Sequence, residues 1–514
     1  MITEDQHRAI EFLNDPASYG LFEPVQVMET HISMIFLVGN RAFKMKRAVK
    51  LPYVDFSTAD LRLAACEKEV ALNSVTAPGL YLGVRRIASR EDGSLCFSAG
   101  GPPVEAVVEM VRFDQSCLFD RMAVSGTLTP ALMTEVARQI AQFHATAPVV
   151  TAESGSANLA GVLDINEAGF ATSHVFDAEE IKSFAGRFRK ALQRHAHHLD
   201  RRAAASKIRR CHGDLHLRNI CLFEGAPRLF DCIEFNDQIA TVDVLYDLAF
   251  LLMDLWHRGL RQFANLVMNR YLDETGDEDG FCLLPFFMAV RAAVRAHVTA
   301  TQAQEGGENS QALIATARSY FELAHSLLDE QPPRLIAIGG LSGSGKSTVA
   351  VVLSPEIGSP PGARLLESDR IRKAMFGVDP ETRLGPDAYQ PDVSAKVYRA
   401  LRERAGAILS SGGSVVADAV FDRADNRALM EKAASDHSVR FTGIWLDADP
   451  ATLLKRVEAR VGGSSDATVE VLKGQLERAS ERIDWRRLNA EPPAAETARE
   501  IRNLLVCDPE SATG

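Results

Sequence analysis

The stretch CHGDLHLRNICLFEGAPRLFDCIEF, residues Cys211 to Phe235 of a 514-residue chain, decides the fold of the N-terminal part of the protein. It contains His212-Gly213-Asp214, then Asn219, and then two apolar runs around the turn Glu224-Gly225-Ala226-Pro227, the second of which ends at Asp231. Two apolar runs on either side of a turn that contains Gly and Pro predict a β-hairpin. The hairpin would place Asn219 at the start of one strand and Asp231 near the end of the other.

These three polar residues match the requirements of phosphoryl transfer from ATP. In that reaction one carboxylate orients the acceptor hydroxyl and takes its proton, while an amide oxygen and a second carboxylate bind the Mg²⁺ that bridges the phosphates. Asp214, Asn219 and Asp231 suit these roles in that order. Asp and Asn beside strands are also common turn residues, but the complete set in this order and context favours the catalytic interpretation.

The pattern H-G-D-x-x-x-x-N, followed by a hairpin and an aspartate, resembles the aminoglycoside phosphotransferase and choline kinase group, whose members are relatives of protein kinases. It resembles more closely a bacterial family that fuses such a kinase domain to a C-terminal P-loop domain. The resemblance implies an α+β, protein kinase-like bilobal domain that uses ATP and Mg²⁺. Cys232-Ile233-Glu234 follows Asp231 in place of Phe-Gly, which does not favour an activation-segment switch of the protein-kinase kind.

A kinase domain of this kind also needs a strand lysine that binds the α- and β-phosphates. The apolar run His31–Val38 and the alternating run Arg41–Lys46, separated by Gly39-Asn40, predict another hairpin. Alternation directs Lys44 and Lys46 to the same face of the second strand. The resemblance favours Lys44 as the catalytic lysine, with Lys46 as the alternative.

The glutamate that pairs with this lysine is expected on the next helix. A helix is predicted over 58–76, opened by the capping-box pattern Ser57-x-x-Asp60. It carries Glu67 and Glu69, and the context Glu-Val-x-Leu-Asn favours Glu69. The face of the helix does not by itself decide between the two.

The linker between the two lobes is predicted at the end of a run of strands over 80–111. By position, the backbone N–H and C=O groups of Glu109 to Val111 would bind adenine, although any buried strand has a similar sequence. The Ser-, Gly- and Ala-rich residues 150–170 predict a loop. The acidic run Asp273–Asp279 could attract a cationic substrate or be a solvated loop. Asp247 is expected to be structural, because its segment packs beneath the catalytic loop in the family that the chain resembles.

The sequence changes character at Gln331-Pro332-Pro333, which predicts a boundary between a kinase domain over 1–330 and a second domain over 334–514. A buried-type strand, Arg334–Ile338, then leads into G-x-x-x-x-G-K-S and a helix, the context that the P-loop motif requires. Its backbone N–H groups would bind the β-phosphate at a helix N-terminus. Lys346 would neutralise phosphate oxygens and Ser347 would bind Mg²⁺. The predicted nucleotide-binding residues here are Gly340, Ser342, Gly343, Ser344, Gly345, Lys346, Ser347 and Thr348.

The residues after the P-loop alternate between strands and helices, which predicts an α/β P-loop NTPase domain with a parallel sheet. Asp369 and Arg372 follow the second strand, where small-molecule P-loop kinases place acceptor-binding groups. Asp369 is a candidate acceptor base, with N-capping of a helix as the alternative. Asp418 ends the third strand and could hold Mg²⁺ through water.

The region from Arg456 to Arg460, followed by Gly462-Gly463, resembles the arginine-bearing lid that closes over the γ-phosphate. Arg456 and Arg460 are therefore candidate nucleotide-binding residues. The whole segment resembles the gluconate kinase, chloramphenicol phosphotransferase and zeta toxin group.

The composition narrows the partners. A formal net charge of −11 argues against broad binding of nucleic acid or an anionic membrane, both of which favour a basic surface. The N-terminus has no signal pattern, no apolar run approaches the roughly 18 residues of a membrane span, and eight scattered cysteines contain no C-x-x-C pair. A cytoplasmic protein without membrane or nucleic-acid partners is expected, and the sequence does not indicate its oligomeric state.

The sequence therefore predicts a bifunctional phosphotransferase in which each domain transfers the γ-phosphoryl group of ATP to a hydroxyl of a small molecule. Two alternatives remain open. One domain could be a regulatory ATP-binding domain without transfer activity. The C-terminal domain could also be a zeta toxin-like kinase that phosphorylates a nucleotide sugar. Neither acceptor can be identified from sequence, because acceptor pockets are built from loops without a transferable code.

Overall fold

The computed structural model describes residues 4–51, 54–98, 100–151, 154–304, 309–459, 465–478 and 483–507. Contacts divide the chain into two compact units, Met1–Asp254 and Leu255–Gly514. The boundary predicted at 331–333 lies inside the second unit by this criterion. A division into functional domains at that point stays a prediction.

The first unit begins with an antiparallel sheet. Its elements are α1 (His7–Asn14), β1 (Gln26–Glu29), β2 (Ser33–Val38), β3 (Arg41–Lys46), β4 (Lys50–Leu51), β5 (Val54–Asp55), α2 (Ala59–Thr76), β6 (Tyr81–Ser89), β7 (Leu95–Phe97) and β8 (Pro103–Val111). Six strands form the sheet in the order β1-β2-β3-β8-β6-β7, and β4 pairs with β5 separately. Val38 pairs with Arg41, so the hairpin turn predicted at Gly39-Asn40 is present.

Helix α2 packs on this sheet and brings Glu69 beneath β3. The helix begins after Thr58, whose hydroxyl accepts the N–H of Leu61, so the cap lies one residue after the predicted Ser57. Buried positions that recur every three or four residues share one helix face. On α2 that face includes Arg62, Cys66, Glu69 and Asn73.

The remainder of the first unit is mainly helical. Its elements are α3 (Phe119–Ser125), α4 (Pro130–Thr146), α5 (Gly155–Ala171), α6 (Ala178–Ala204), β9 (Ile208–Arg210), β10 (Ile220–Phe223), β11 (Ala226–Leu229), α7 (Asp237–Ala240), β12 (Thr241–Asp243) and α8 (Val244–His257), which continues past Asp254. The predicted hairpin is β10–β11. Its turn is two residues long, Glu224 and Gly225, with φ values of +51° and +77°, as a type I′ turn requires.

The loop predicted over 150–170 is wrong, because helix α5 occupies most of it. Ser154 caps this helix by accepting the N–H of Ala157 at 3.0 Å. Ala is the strongest helix former, so only the Ser and Gly residues of this segment disfavour a helix, and burial of one face outweighs them. That buried face consists of Gly155, Leu159, Leu163, Asn166 and Phe170.

The second unit contains helices followed by a parallel sheet. Its elements are α9 (Arg261–Thr275), α10 (Leu284–Gln304), α11 (Ser310–Ser326), β13 (Arg334–Gly339), α12 (Lys346–Leu353), β14 (Arg364–Glu367), α13 (Ser368–Met375), α14 (Pro391–Ser410), β15 (Val415–Asp418), α15 (Ala424–Asp436), β16 (Arg440–Asp447), α16 (Pro450–Glu458), α17 (Val469–Arg478), β17 (Arg486–Asn489) and α18 (Ala494–Cys507). All five strands are parallel, in the order β14-β15-β13-β16-β17. This confirms the predicted α/β P-loop fold, with the strand C-termini together at one edge of the sheet.

Helix α9 covers the edge strand β14. Asn269 Oδ1 accepts the backbone N–H of Leu365 at 2.7 Å, and Asn265 Nδ2 donates to the carbonyl of Ala363 at 3.0 Å. An uncovered edge strand exposes unpaired backbone groups, so this helix protects β14. The fully buried Arg364 contacts Asp273 at 2.7 Å and Glu278 at 3.1 Å. These two members of the acidic run therefore form structural ion pairs.

One segment within the described residues, Glu278–Gln304, is long and apolar enough by composition to cross a membrane, with a mean hydropathy of 1.5. Arg291 and Arg295 interrupt this segment, so it contains no uninterrupted apolar run of about 18 residues. Of its most apolar window, 72% is buried inside the protein, as in the core helix of a soluble protein.

Candidate active sites

The first candidate site lies where the segment before β10 meets the residues after β11. The side-chain amide of Asn219 donates to the Asp214 carboxylate and to its backbone carbonyl, both at 2.9 Å. His216 Nε2 lies 3.4 Å from the same carboxylate. The structure thus brings Asp214 and Asn219 together and leaves Asn219 Oδ1 as a potential metal ligand.

Buried carboxylates beneath this segment fix its backbone. Asp247 is fully buried and accepts the N–H groups of His212 at 3.2 Å and Gly213 at 2.8 Å. Asp254 accepts the N–H of Leu217 at 3.1 Å. These contacts agree with the structural role expected for Asp247.

The ion pair expected between β3 and α2 is formed by Lys44 and Glu69, whose Nζ and Oε1 atoms are 2.8 Å apart. Lys44 also contacts the carboxylate of Asp231. The alternative glutamate, Glu67, is exposed and pairs with Arg86 at 3.0 Å. The geometry therefore favours Glu69.

The side chain of Lys46 also forms ion pairs, which were not predicted from the sequence. It forms a hydrogen-bonded ion pair with Glu234, three residues after Asp231. Its ammonium group also contacts Oε2 of Glu69, a charge contact that lacks hydrogen-bond geometry. Both lysines proposed from sequence thus share one glutamate. The sequence signal that could have indicated this contact is the combination of Lys-x-Lys on β3 with Asp-x-x-Glu after β11.

The electrostatics favour the charged forms of Lys44 and Glu69. Burial alone would raise the pKa of the Glu69 carboxyl, but Lys44 and Lys46 outweigh it and hold that pKa below its ordinary value. Burial would likewise lower the pKa of Lys44, but Asp231 and Glu69 outweigh it and raise that pKa. Opposite charges within a few ångströms favour the charged form of each group.

Asp231 is held in an unusual backbone conformation. Its φ is +64°, although it is not glycine, and its N–H donates to the Tyr81 hydroxyl at 3.1 Å. Non-glycine residues in this region are strained and cluster at functional sites. The side chain is 41% exposed and directed at Lys44, so its oxygens are accessible to a ligand.

The predicted adenine-binding segment, Glu109 to Val111, is still part of strand β8. The N–H of Val111 donates to the carbonyl of Leu80 at 2.9 Å, so this donor is already engaged. The Glu109 side chain lies 3.5 Å from both Arg41 and Arg85. Adenine binding by this segment stays a prediction.

The second candidate site is the P-loop between β13 and α12. A Cβ atom at Gly340 would lie 2.6 Å from the carbonyl oxygen of Leu446, and one at Gly343 would lie 2.7 Å from that of Leu453. Glycine is therefore required where the loop passes its neighbours. A cavity of about 1950 Å³ is lined by six of the eight predicted residues, namely Ser342, Gly343, Gly345, Lys346, Ser347 and Thr348.

Residues of the P-loop make contacts that the motif did not reveal. Lys346 Nζ donates to the carbonyl of Leu341 at 3.1 Å. The N–H of Ser342 donates to Oε1 of Gln475, on α17, at 2.9 Å. Ser344 is 1% exposed and its hydroxyl has no hydrogen-bond partner among the described residues, so it lies behind the cavity wall.

The carboxylates predicted at this site face the same cavity. Asp418 accepts a hydrogen bond from the Ser347 hydroxyl, and burial raises its pKa to about 7. Burial also raises the pKa of Asp369, against the opposing effects of Lys346 and Arg372. Glu367 is the N-cap of α13 and no side chain caps that helix, so Asp369 is not an N-cap.

Of the two proposed lid arginines, the structure describes only Arg456, and nucleotide binding by either stays a prediction. Arg456 donates to the backbone carbonyls of Ala490 at 2.9 Å and Glu491 at 3.3 Å, and it does not line the cavity. Arg460 lies outside the described residues.

Comparisons with known proteins match these two sites to two families. The profile of the Phosphotransferase enzyme family matches residues 118–282, and that of an AAA domain matches residues 335–482. The chain therefore combines a region similar to the phosphotransferase family with a region similar to an AAA-type P-loop domain. Kinase-type domains of both kinds imply phosphotransfer activity and the use of ATP.

Similar full-length proteins share both parts. Uncharacterized proteins of Mycobacterium tuberculosis and Mycobacterium bovis are each 27% identical over 493 residues, covering 90% of this chain and 91% of theirs.

Solved structures resemble one part each. A choline/ethanolamine kinase family protein from Mesorhizobium loti has 14% identity and a TM-score of 0.39, covering 63% of this chain and 94% of its own. A gluconokinase from Sinorhizobium meliloti has 22% identity and a TM-score of 0.24, covering 34% of this chain and 98% of its own.

Proposed function

We propose that the protein is a bifunctional kinase in which each family domain transfers the γ-phosphoryl group of ATP to a hydroxyl of a small molecule. The observation that carries the proposal for the first site is the convergence of Asp214, Asn219, Asp231 and the Lys44–Glu69 ion pair. These are the parts that phosphoryl transfer to an alcohol requires.

At the first site, Asp214 would orient the acceptor hydroxyl and take its proton as the oxygen forms a bond to the γ-phosphorus. The bond from that phosphorus to the β–γ bridging oxygen breaks, and ADP leaves. Lys44, held by Glu69, would bind the phosphates. Asn219 positions Asp214 through its amide, which keeps the carboxylate in one orientation.

The residues present fit Mg²⁺ at both sites, because hard cations prefer oxygen ligands. At the first site these would be Asn219 Oδ1 and the partly exposed Asp231 carboxylate, and at the second the Ser347 hydroxyl and Asp418. When bound, Mg²⁺ neutralises the charge that develops on the phosphate oxygens.

At the second site, the P-loop amides and Lys346 would bind the nucleotide. Asp369 lines the same cavity and is the proposed acceptor base. A carboxyl whose pKa is raised by burial is better matched to taking a proton near neutral pH than an exposed one. Lys346 lies close enough to lower that pKa, which supports a phosphate and an acceptor hydroxyl in adjacent positions.

The test is transfer of label from γ-labelled ATP to a metabolite library by the full-length chain. Each transfer should be lost in one single-site variant only, Asp214→Asn for the first site or Asp369→Asn for the second. Release of inorganic phosphate alone, with no labelled ester, would refute the proposal.

The same experiment separates the regulatory alternative. A regulatory P-loop domain would leave all transfer intact in the Asp369→Asn chain, while Lys346→Ala would change the rate of transfer at the first site. Growth arrest on expression would favour the toxin-like alternative.

A further inference from the structure

Five charged side chains form a continuous chain across the first unit, in the order Asp231, Lys44, Glu69, Lys46, Glu234. We refer to these five residues as the charge chain. The two lysines project from the same face of β3, and the two outer carboxylates lie three residues apart after β11. Glu69 joins the two halves by offering one carboxylate oxygen to each lysine.

The two ends of the charge chain differ in exposure. At one end, the side chain of Lys44 is 12% exposed and that of Asp231 is 41% exposed. At the other end, Lys46 is 1% exposed and Glu234 is 3% exposed. A bound phosphate could therefore reach Lys44 but not Lys46, which excludes Lys46 as the phosphate-binding lysine in this conformation.

Stability alone does not account for the buried end. Burying an ion pair requires removal of water from both charges, and well-packed apolar residues of similar volume are often as stable or more stable. The position of the Lys46–Glu234 pair explains its presence better than stability does. Asp231 has a strained φ of +64°, which the surrounding structure must impose. Lys44 holds the first residue of the segment 231–234, and Lys46 holds the last.

We propose that Lys46 and Glu234 are a positioning pair for the phosphate- and metal-binding groups of the first site. Lys46 keeps Oε2 of Glu69 in place, so that Oε1 stays on Lys44. Glu234 anchors the segment that presents Asp231. The inference rests on the proposed kinase function of this unit, and it gives the second lysine of Lys-x-Lys a role distinct from the first.

The test replaces the buried pair with apolar residues. In a full-length Lys346→Ala chain, which weakens binding at the P-loop about ten-fold or more, Lys46→Met/Glu234→Leu is compared with the parent at low nucleotide concentration for affinity towards Mg²⁺ and a non-hydrolysable ATP analogue. Melting temperature is measured in parallel. Misplacing Lys44 and Asp231 should weaken binding about ten-fold, the order expected when charge-assisted contacts are lost.

A matched control is available on the same helix. The side chains of Arg62 and Glu105 are each 1% exposed and lie 2.8 Å apart, joining α2 to β8. This pair makes no ion pair with Glu69 among the described residues, and Gln6 links Glu105 only to the backbone carbonyl of Lys46. Arg62→Met/Glu105→Leu should leave the affinity within about two-fold if the pair is only structural. Lys46→Arg, which keeps the charge, should restore most of the affinity lost in Lys46→Met.

The possible results distinguish failure of the positioning role from failure of the proposed kinase function. If the double variant is destabilised, Glu234→Gln, which keeps the shape and removes the charge, should still weaken binding about three-fold. Parent-like affinity in a folded Lys46/Glu234 variant, or an equal loss in the Arg62/Glu105 control, would overturn the positioning role alone. A parent chain that binds no nucleotide would instead refute the proposed function of the first unit.

Discussion

Arg364→Met tests whether α9 is an integral part of the P-loop unit. Arg364 begins the edge strand β14 and is fully buried. Its guanidinium contacts Asp273 at 2.7 Å, Glu278 at 3.1 Å and Asn269 Oδ1 at 2.9 Å. Methionine would keep most of the volume of the side chain but remove every one of these hydrogen bonds.

The magnitude follows from the carboxylates left behind. Removing one partner of a buried ion pair costs roughly 3–5 kcal/mol. Asp273 would retain Arg270 at 2.7 Å, and Glu278 would retain Arg404. The lower end of the range, about 3 kcal/mol, is therefore expected, equivalent to roughly 6–12 °C in melting temperature for a unit of this size.

Differential scanning calorimetry of the full-length chain measures this shift. Arg402→Met is the matched control, because Arg402 pairs with Asp436 at 3.1 Å while both side chains are 35% exposed. Such an exposed pair is worth about 1 kcal/mol or less. Equal shifts in the two variants would refute the argument that the Arg364 network binds α9 to the sheet.

Three further predictions concern catalysis, truncation and pH. Asp214→Asn should abolish transfer at the first site and leave nucleotide affinity nearly unchanged, whereas Asp231→Asn should also weaken Mg²⁺-nucleotide binding; calorimetric titration and turnover distinguish them. A fragment over 334–514 should melt lower or aggregate relative to one over 255–514, because it leaves β14 uncovered, and thermal scans of both decide this. Burial alone would raise the pKa of Asp273, but Arg364 and Arg270 outweigh the effect of burial and hold this pKa below its ordinary value. Its stabilisation is therefore present above the unfolded pKa of about 3.9 and lost as pH falls through the folded pKa, so Asp273→Asn should flatten the acid side of the stability profile.

Local patterns predicted the hairpin and the P-loop that carry the two candidate sites. The β10–β11 hairpin and the P-loop depend on residues close in sequence, and the structure has both, although the turn is two residues long where four were predicted. The family resemblance favoured Lys44, and the context Glu-Val-x-Leu-Asn favoured Glu69. Strand alternation and helix periodicity did not decide either choice, because Lys44 and Lys46 share one face of their strand and the helix face does not separate Glu67 from Glu69. The choice between Lys44 and Lys46 needed Glu234, whose proximity no local pattern contains.

Features that depend on distant partners were missed. Arg456 had a position typical of a lid residue, but two carbonyls near residue 490 bind its side chain. The sequence shows that the run around Asp273 is acidic. It does not show that a buried arginine 91 positions later neutralises this charge. The loop predicted for the Gly- and Ala-rich segment that forms α5 was wrong. That prediction gave the composition more weight than the apolar residues that recur every four positions.

The number of nucleotides bound per chain tests the central claim most directly. Titration of the full-length protein with a non-hydrolysable ATP analogue and Mg²⁺ should give a stoichiometry of two. Lys346→Ala should reduce it to one, because the P-loop loses a charge-assisted contact worth roughly 1.5–3 kcal/mol, about ten-fold or more in affinity. A wild-type stoichiometry of one, or loss of both sites in the Lys346→Ala chain, would contradict two separate phosphotransfer sites.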